Sequence, residues 1–295
     1  MLSILIPTYN YNITRLVNDL HRQAMALSVD FEIIVLEDGS AKFLEENKEI
    51  AQLPFVKYEA LSENIGRSAI RNRLAETAQY GTLLFMDCDA EVCSSYFIEK
   101  YIPFCKETCI VIGGTAYDTE DKTPAYSLRL KYGREREARL PAEREANNSF
   151  STFNFLISAT VFQKIKFDES LKSYGNEDTL FGYQLRKMNV TCYQTDNPLI
   201  HKGLDDNKTY LAKTKDAARN LLRLHRTGKY PFLIDESTLL GTYVKIKRLK
   251  SVRFTAFIFS MLQKWLERNL CGKNPSLTLY DFYKLGSLCK ISLEK

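Results

Sequence analysis

The chain has 295 residues, 45% hydrophobic and 26% charged, with a formal net charge of +5. This is ordinary globular usage for one large domain or a domain with an appendage. It excludes collagen-like, low-complexity and disordered classes, and a core of this size needs no disulfide or metal staples.

Leu2–Ile6 is a short apolar run closed by Pro7 and the turn residues Thr8, Tyr9 and Asn10, which predicts a buried strand. Residues 13–26 then place Ile13, Leu16, Val17, Leu20 and Ala24 on one helical face. Phe31–Leu36 predicts a second strand, cut off by Glu37-Asp38-Gly39-Ser40. A helix over 41–51, a strand over 55–59, a helix over 67–79 and a strand over 82–86 follow. Strands alternating with helices at this spacing indicate parallel βαβ units, whose ligands lie beyond the carboxyl ends of the strands. Thr8–Asn10, Glu37–Ser40 and Asp87–Asp89 each follow a strand and so share one edge. Further on, residues 94–105 read as helix and 108–112 as strand. Residues 118–150 read as an exposed charged excursion, 158–166 and 177–188 as helices, and 190–194 as strand. From about residue 205 the chain is helical and basic, with a break at Tyr230-Pro231 and a long helix over 243–270.

Seven cysteines without CxxC spacing read as free thiols in a reducing cytosol rather than as a zinc site. MLSILIPTYN has no basic leader and does not read as a signal peptide. The apolar stretch Phe254–Gln263 is ten residues long, well short of the roughly 20 that cross a bilayer.

The sharpest chemical signal is FMDCDAEV, residues 85–92. In an extended segment residues i and i+2 point the same way, so Asp87 and Asp89 can face one cation. Carboxylates suit Mg²⁺ or Mn²⁺, which take remaining ligands from substrate phosphates and water. Taken alone, the same two aspartates also fit a turn or a helix cap.

Together with LSILIPTYN (2–10), FEIIVLEDGS (31–40) and ENIGRSAIRNR (63–73), this Asp-x-Asp resembles the inverting glycosyltransferases of family two. The resemblance covers about residues 1–204. It implies an α/β fold of the GT-A, nucleotide-diphospho-sugar transferase type, a mostly parallel twisted sheet flanked by helices, carrying a basic helical C-terminal extension. The catalytic domain would be 1–204, with 1–92 the nucleotide-sugar half and 93–204 the acceptor half, and the extension 205–295. By the same likeness Pro7, Thr8 and Tyr9 line the nucleoside pocket. Glu37 and Asp38 sit near base and ribose, Asn64, Arg67 and Arg71 border the nucleotide, and Asp87, Cys88 and Asp89 hold metal and ribose. The family's usual pair before Gly-Ser is two aspartates; here the first is Glu37.

SYGNEDTLFGYQLRKMN (173–189) supplies a second acidic pair, Glu177 and Asp178, opening a helix. Helix N-termini favour negative charge, so a cap is the plain alternative. The likeness to the family's acceptor-side motif makes Asp178 the general base and Glu177 an acceptor-binding residue. Asn154 matches an asparagine-bearing strand only weakly. His201, in NPLIHKG, stands where relatives place a histidine that helps hold metal or diphosphate, and a neutral imidazole is a competent ligand. A satisfied structural histidine is the alternative, and His21 and His225 read as structural.

The implied activity is inverting, metal-dependent transfer of a sugar from a nucleotide-diphosphate donor, UDP by default. The acceptor is a hydroxyl of a glycan or lipid-linked molecule in bacterial surface polysaccharide synthesis. A nucleotidyltransferase or a non-catalytic sugar-nucleotide-binding or scaffold protein is the alternative. A dehydrogenase would need GxGxxG and a P-loop enzyme GxxxxGK[ST], and neither is present.

Residues 1–204 carry 23 Lys+Arg against 28 Asp+Glu, while 205–295 carry 18 against 8, net −5 and +10. The basic tail lacks a nucleic-acid-binding module. Its segment 243–268 mixes Lys245, Lys247, Arg248, Lys250 and Arg253 with Phe254, Phe257, Ile258, Phe259, Met261, Leu262 and Trp265. That mixture suits an interfacial helix at the inner, anionic face of a membrane; packing on the catalytic domain or against a second copy is the competing expectation.

Overall fold

The computed structural model describes residues 1–118, 123–146, 150–171 and 175–294. In chain order they form β1 (Leu2–Thr8), α1 (Thr14–Met25), β2 (Phe31–Glu37), α2 (Leu44–Lys48), β3 (Val56–Ala60), α3 (Arg67–Thr77), β4 (Thr82–Met86), β5 (Ala90–Val92), β6 (Cys109–Ile112) and β7 (Thr115–Ala116). Then come α4 (Ser127–Tyr132), α5 (Pro141–Ala146), β8 (Asn154–Ser158), α6 (Ala159–Ile165), α7 (Glu177–Lys187), β9 (Thr191–Gln194), β10 (Leu199–His201), α8 (Asn207–Thr227), α9 (Leu233–Glu236), α10 (Thr238–Arg248), α11 (Val252–Leu270) and α12 (Leu277–Leu293). They divide into two compact units: Met1–Asp118 with Glu137–Lys172 and Leu180–Gly203, and Thr119–Arg136 with Ser173–Thr179 and Leu204–Lys295.

The first unit is built on a seven-stranded sheet of order β3-β2-β1-β4-β8-β6-β9. The pairs β3/β2, β2/β1, β1/β4 and β6/β9 are parallel, and β8 runs antiparallel to both its neighbours. Every residue of β2, β4 and β8 is buried, as strands covered on both faces require. One apolar layer joins Ile4, Ile6, Ile33, Val35 and Leu84 to Leu16, Val17, Leu20 and Ala24 of α1. The other joins Leu5, Ile34, Phe85, Phe155 and Ile157 to Ile70 and Leu74 of α3 and to Phe162 and Phe181. Each such Val, Leu, Ile or Phe side chain contributes about 1.5–3 kcal/mol by leaving water. A small second sheet, β5-β10-β7, sits beyond β4 in the chain.

The second unit is helical. Asp206 caps α8 by accepting from the Lys208 and Thr209 amides at 2.9 and 3.0 Å, and α8 ends at Gly228 with φ of 67°. Phe259 of α11 packs against Tyr283 of α12 with ring centroids 5.5 Å apart. A Cβ on Gly286 would stand 2.4 Å from the Phe259 ring, so only glycine admits this approach. No described helix is long and apolar enough to cross a membrane.

Three local expectations change. The helix expected over 94–105 is a 3-10 segment, Glu99–Phe104, because Pro103 lies inside it and cannot donate to an α-helical ladder. The long helix over 243–270 is two, α10 and α11, hinged where Lys250 takes φ of 56°. The charged excursion is not simply exposed: Arg144 is buried and donates to the carbonyls of Ile112 at 3.1 Å and Thr195 at 2.7 Å. The part of that excursion at 119–122 and 147–149 lies outside the described residues.

Candidate functional site

The loops after β1, β2 and β3 are tied to one another by buried polar groups. Thr8 is buried, Tyr9 is exposed, and Asn10 adopts φ of 52°, the left-handed region that Asn tolerates best among non-glycines. The Thr8 carbonyl accepts from the Asp38 amide at 2.8 Å. Asn10 accepts from the Ala41 and Lys42 amides at 2.8 and 3.1 Å, and its own amide donates to Ser40.

Glu37 has no exposed surface. Its carboxylate accepts from Asn47 at 2.7 Å and from the Ser40 hydroxyl, and Asn47 in turn bonds the Tyr11 carbonyl and the Ile13 amide. Burial, with the Glu37 charge beside it, pushes the Tyr58 phenol up to about 12. The longer glutamate side chain thus braces the first two loops from beneath. Asp38 accepts from the Ile65 and Gly66 amides at 2.7 and 3.2 Å, and its carbonyl accepts from Asn64 at 2.9 Å. Burial raises its carboxyl against the lowering effect of those two amides. Gly39 has φ of +66° and a Cβ there would stand 2.4 Å from the Asn64 amide nitrogen, so Glu37–Ser40 and Glu63–Arg67 pack as one surface. Arg67, at the first position of α3, is exposed.

Arg71 is buried under the Asp-x-Asp. Its guanidinium donates to Asp87 Oδ1 at 2.6 Å and to the Arg67 carbonyl at 3.3 Å, and lies over the Phe167 ring. The Asp87 amide donates to the Phe153 carbonyl at 3.1 Å. Between the aspartates, burial and then the charge of Asp89 hold the Cys88 thiol well above the ordinary thiol range.

Asp89 faces a different partner. Antiparallel pairing sets His201 opposite Ala90, and His201 Nε2 lies 3.1 Å from Asp89 Oδ2. The other ring nitrogen, Nδ1, lies 3.3 Å from the Tyr117 hydroxyl, which donates to Glu137. With Nδ1 beside the Tyr117 hydroxyl, Nε2 is the ring nitrogen turned to Asp89. Two ligands at right angles, each about 2.1 Å from an ion, stand about 3 Å apart. Carboxylate and imidazole are a donor set for Mn²⁺ or Mg²⁺. The spacing and donor types of the pair therefore fit a divalent ion. Among the described residues no three His, Cys, Asp or Glu side chains form a complete cage. Phe153 and Tyr117 flank the imidazole at 5.1 and 5.6 Å, and a Cβ on Gly203 would stand 2.3 Å from Asp89 Oδ2.

Glu177 and Asp178 belong to the second unit. Gly175 and Asn176, with φ of 90° and 78°, turn the chain into α7, so both acids occupy its first turn, where the helix dipole favours negative charge. Asn220 donates to the Gly175 carbonyl at 3.0 Å and fixes that turn. Glu177 is buried and Asp178 half-buried.

The first unit therefore links Thr8, Asp38 and Asn64 by hydrogen bonds, holds Glu37 on Asn47 and Ser40, and brings Arg71 onto Asp87 and His201 onto Asp89. Asn154 is wholly committed inside: it accepts from Tyr101 at 2.7 Å and donates to the Asn197 carbonyl at 2.8 Å. Sequence reading passed over Tyr117, Glu137 and Gly203. Only Gly203 had a local signal, the glycine two residues after His201; the other two reach the imidazole through tertiary packing alone.

Comparison with known proteins agrees with this architecture. The family model described as Glycosyl transferase family 2 matches residues 3–170. The structure is similar to S. aureus TarS 1–349, with a TM-score of 0.51 and 17% identity over 97% of this chain and 90% of that one. It is also similar to TarS 1–349 in complex with UDP-GlcNAc, with a TM-score of 0.51 and 16% identity over 97% and 90%. The mannosyltransferase PcManGT from Pyrobaculum calidifontis, in complex with GDP-Man and Mn²⁺, gives a TM-score of 0.59 and 13% identity over 100% and 87%. No curated protein shows significant sequence similarity.

Proposed function

The chain belongs to glycosyl transferase family 2, and on that premise we propose that it transfers a sugar, with inversion, from a UDP-sugar to a hydroxyl of a glycan or lipid-linked acceptor. The setting we assign is bacterial surface polysaccharide synthesis. The observation that carries the reading is the approach of His201 to Asp89 at the strand edge, beside the Arg71–Asp87 pair.

Asp89 and His201 would hold Mn²⁺ or Mg²⁺, which would supply positive charge for the leaving diphosphate. Pro7, Thr8, Tyr9 and the Asp38–Asn64 surface receive the nucleoside, and Arg67 and Arg71 border the nucleotide. Arg71 keeps Asp87 pointed at the donor side; Cys88 stays a neutral thiol between two carboxylates. Asp178 takes the proton from the acceptor hydroxyl as it attacks the anomeric carbon from the face opposite the diphosphate, and Glu177 orients that acceptor.

The test is nucleotide release from UDP-, GDP- and dTDP-sugars with Mn²⁺ or Mg²⁺, with the anomeric configuration of the product read by NMR. We expect UDP release that chelator abolishes and an inverted product. Asp178→Asn should lower kcat by about 10²–10⁴-fold with nucleotide affinity unchanged; wild-type turnover in that variant, or retention of configuration, would overturn the assignment.

A further inference from the structure

The second unit carries a surface that the transfer reaction leaves unused. Helix α11 is two-sided. Ala256, Phe259, Leu266 and Leu270 are buried, while Phe254, Phe257, Met261 and Trp265 are 67, 60, 67 and 55% exposed. Their spacing of three to four residues makes them one stripe. Leu262 widens it on one side. Arg253, Lys264 and Arg268 are exposed along the helix with it.

The single acid of α11, Glu267, is turned away: it accepts from Lys215, Gln263 and Tyr283 at 3.0–3.2 Å. At the α10–α11 hinge Lys247, Arg248 and Lys250 are exposed around Leu249, itself 74% exposed. An open pocket of about 460 Å³ lies at this hinge, lined by Arg226, Lys247, Lys250, Arg253 and Tyr243 among others. Among the described residues no acidic side chain lines it.

An aromatic stripe on a helix that exposes Arg253, Lys264 and Arg268 and turns in its single acid is complementary to one kind of partner. Bilayer interfaces take Trp and Phe at headgroup depth, and anionic headgroups attract the surrounding Lys and Arg. A second copy fits poorly, because a two-fold interface sets the same patch against itself and would oppose cation to cation.

We propose that the exposed stripe of α11, with the cationic pocket at the α10–α11 hinge, is a docking surface for an anionic lipid bilayer. The stripe enters the acyl boundary and the pocket takes a lipid phosphate.

Trp265 is the only tryptophan in the chain and sits in the stripe, so its emission reports insertion directly. The full chain is mixed with phosphatidylcholine vesicles with and without phosphatidylglycerol, at low ionic strength. We expect co-flotation and a blue shift of Trp265 with the anionic vesicles alone, both reversed by added salt as the charges are screened. Phe257→Ser with Met261→Ser, both at exposed positions, should weaken partitioning by about tenfold or more with an unchanged melting curve. Lys247→Glu with Lys250→Glu should remove the preference for phosphatidylglycerol. Absence of binding to anionic vesicles, or equal binding to neutral ones, would overturn the proposal. So would a dimer in light scattering that the Phe257→Ser, Met261→Ser variant dissolves while neither protein binds vesicles. No donor is present in these assays, so their outcome is separate from that of the transferase reading.

Discussion

His201 Nε2 and Asp89 Oδ2 stand 3.1 Å apart although the two residues are 112 positions apart in the chain. Behind the imidazole the Tyr117 hydroxyl, fixed by Glu137, meets Nδ1. A partner on the far nitrogen sets the tautomer and aims the near one. Tyr117→Phe keeps the ring against His201 and removes only that partner. We expect Mn²⁺ affinity, measured by electron paramagnetic resonance with UDP present, to fall by about 10–100-fold, and a melting temperature close to wild type. Unchanged Mn²⁺ affinity would separate Tyr117 from the site.

Gly203 tests the same place sterically. Its missing Cβ leaves room for Asp89, whose Oδ2 would otherwise lie 2.3 Å from it. Gly203→Ala should push the carboxylate out of line with His201. Metal-stimulated turnover should then drop by at least about tenfold, the effect of roughly an ångström of misplacement or less. Titration of UDP without metal should change little.

Glu32 supplies a pH-dependent contribution to stability. Burial raises its carboxyl, but the Gln79 amide, Lys57 and Ser3 outweigh burial, and the net shift is downward from 4.5. The Gln79 and Ser3 bonds are 2.6 and 2.7 Å and the Lys57 bond 2.9 Å. A depressed folded-state value stabilises above the unfolded value and is lost as pH falls through the folded one. Wild type should therefore lose melting temperature below about pH 4.5 more steeply than Glu32→Gln, while at pH 7 the variant should be less stable by about 1–3 kcal/mol. Parallel pH profiles for the two proteins would refute this account.

The second unit offers a packing test. Gly286→Ala would place a Cβ 2.4 Å from the buried Phe259 ring, and overpacking of this kind costs about 1–3 kcal/mol. We expect a lower melting temperature, partly recovered by Phe259→Leu. A Gly286→Ala protein as stable as wild type would mean that α11 and α12 can separate without cost.

Much of this was legible in the sequence because the relevant signals are local. The runs Leu2–Ile6, Phe31–Leu36 and Thr82–Met86 are apolar, short and closed by turn residues, and they became β1, β2 and β4 almost residue for residue. β8 was expected only through the weak strand likeness at Asn154, and its last residue, Ser158, fell in the helix expected over 158–166, since NFLIS runs straight into Ala159–Ile165 with no glycine or proline between them. The hinge at Lys250 was equally silent: KRLKSVR contains no breaker, and the positive φ falls on a lysine. The family likeness singled out Asp89 and His201, which the structure brings together. Tyr117 and Glu137 could not be read beside them, because Tyr117 reaches the imidazole through the pairing of β7 with β10 and Glu137 is met only through the Tyr117 hydroxyl.

The antiparallel strand β8 pairs with β4 on one side and β6 on the other. It is encoded after both, so during synthesis β4 emerges with β1 beside it and an open, apolar edge on its other flank. That edge waits for roughly seventy more residues, and long-range strand pairing is the slow step in sheet assembly. An unpaired edge on a nascent chain is a template for association with other chains. Slowing translation between codons 87 and 154 should therefore raise the aggregated fraction, and a chain truncated before Asn154 should be recovered mainly as insoluble material.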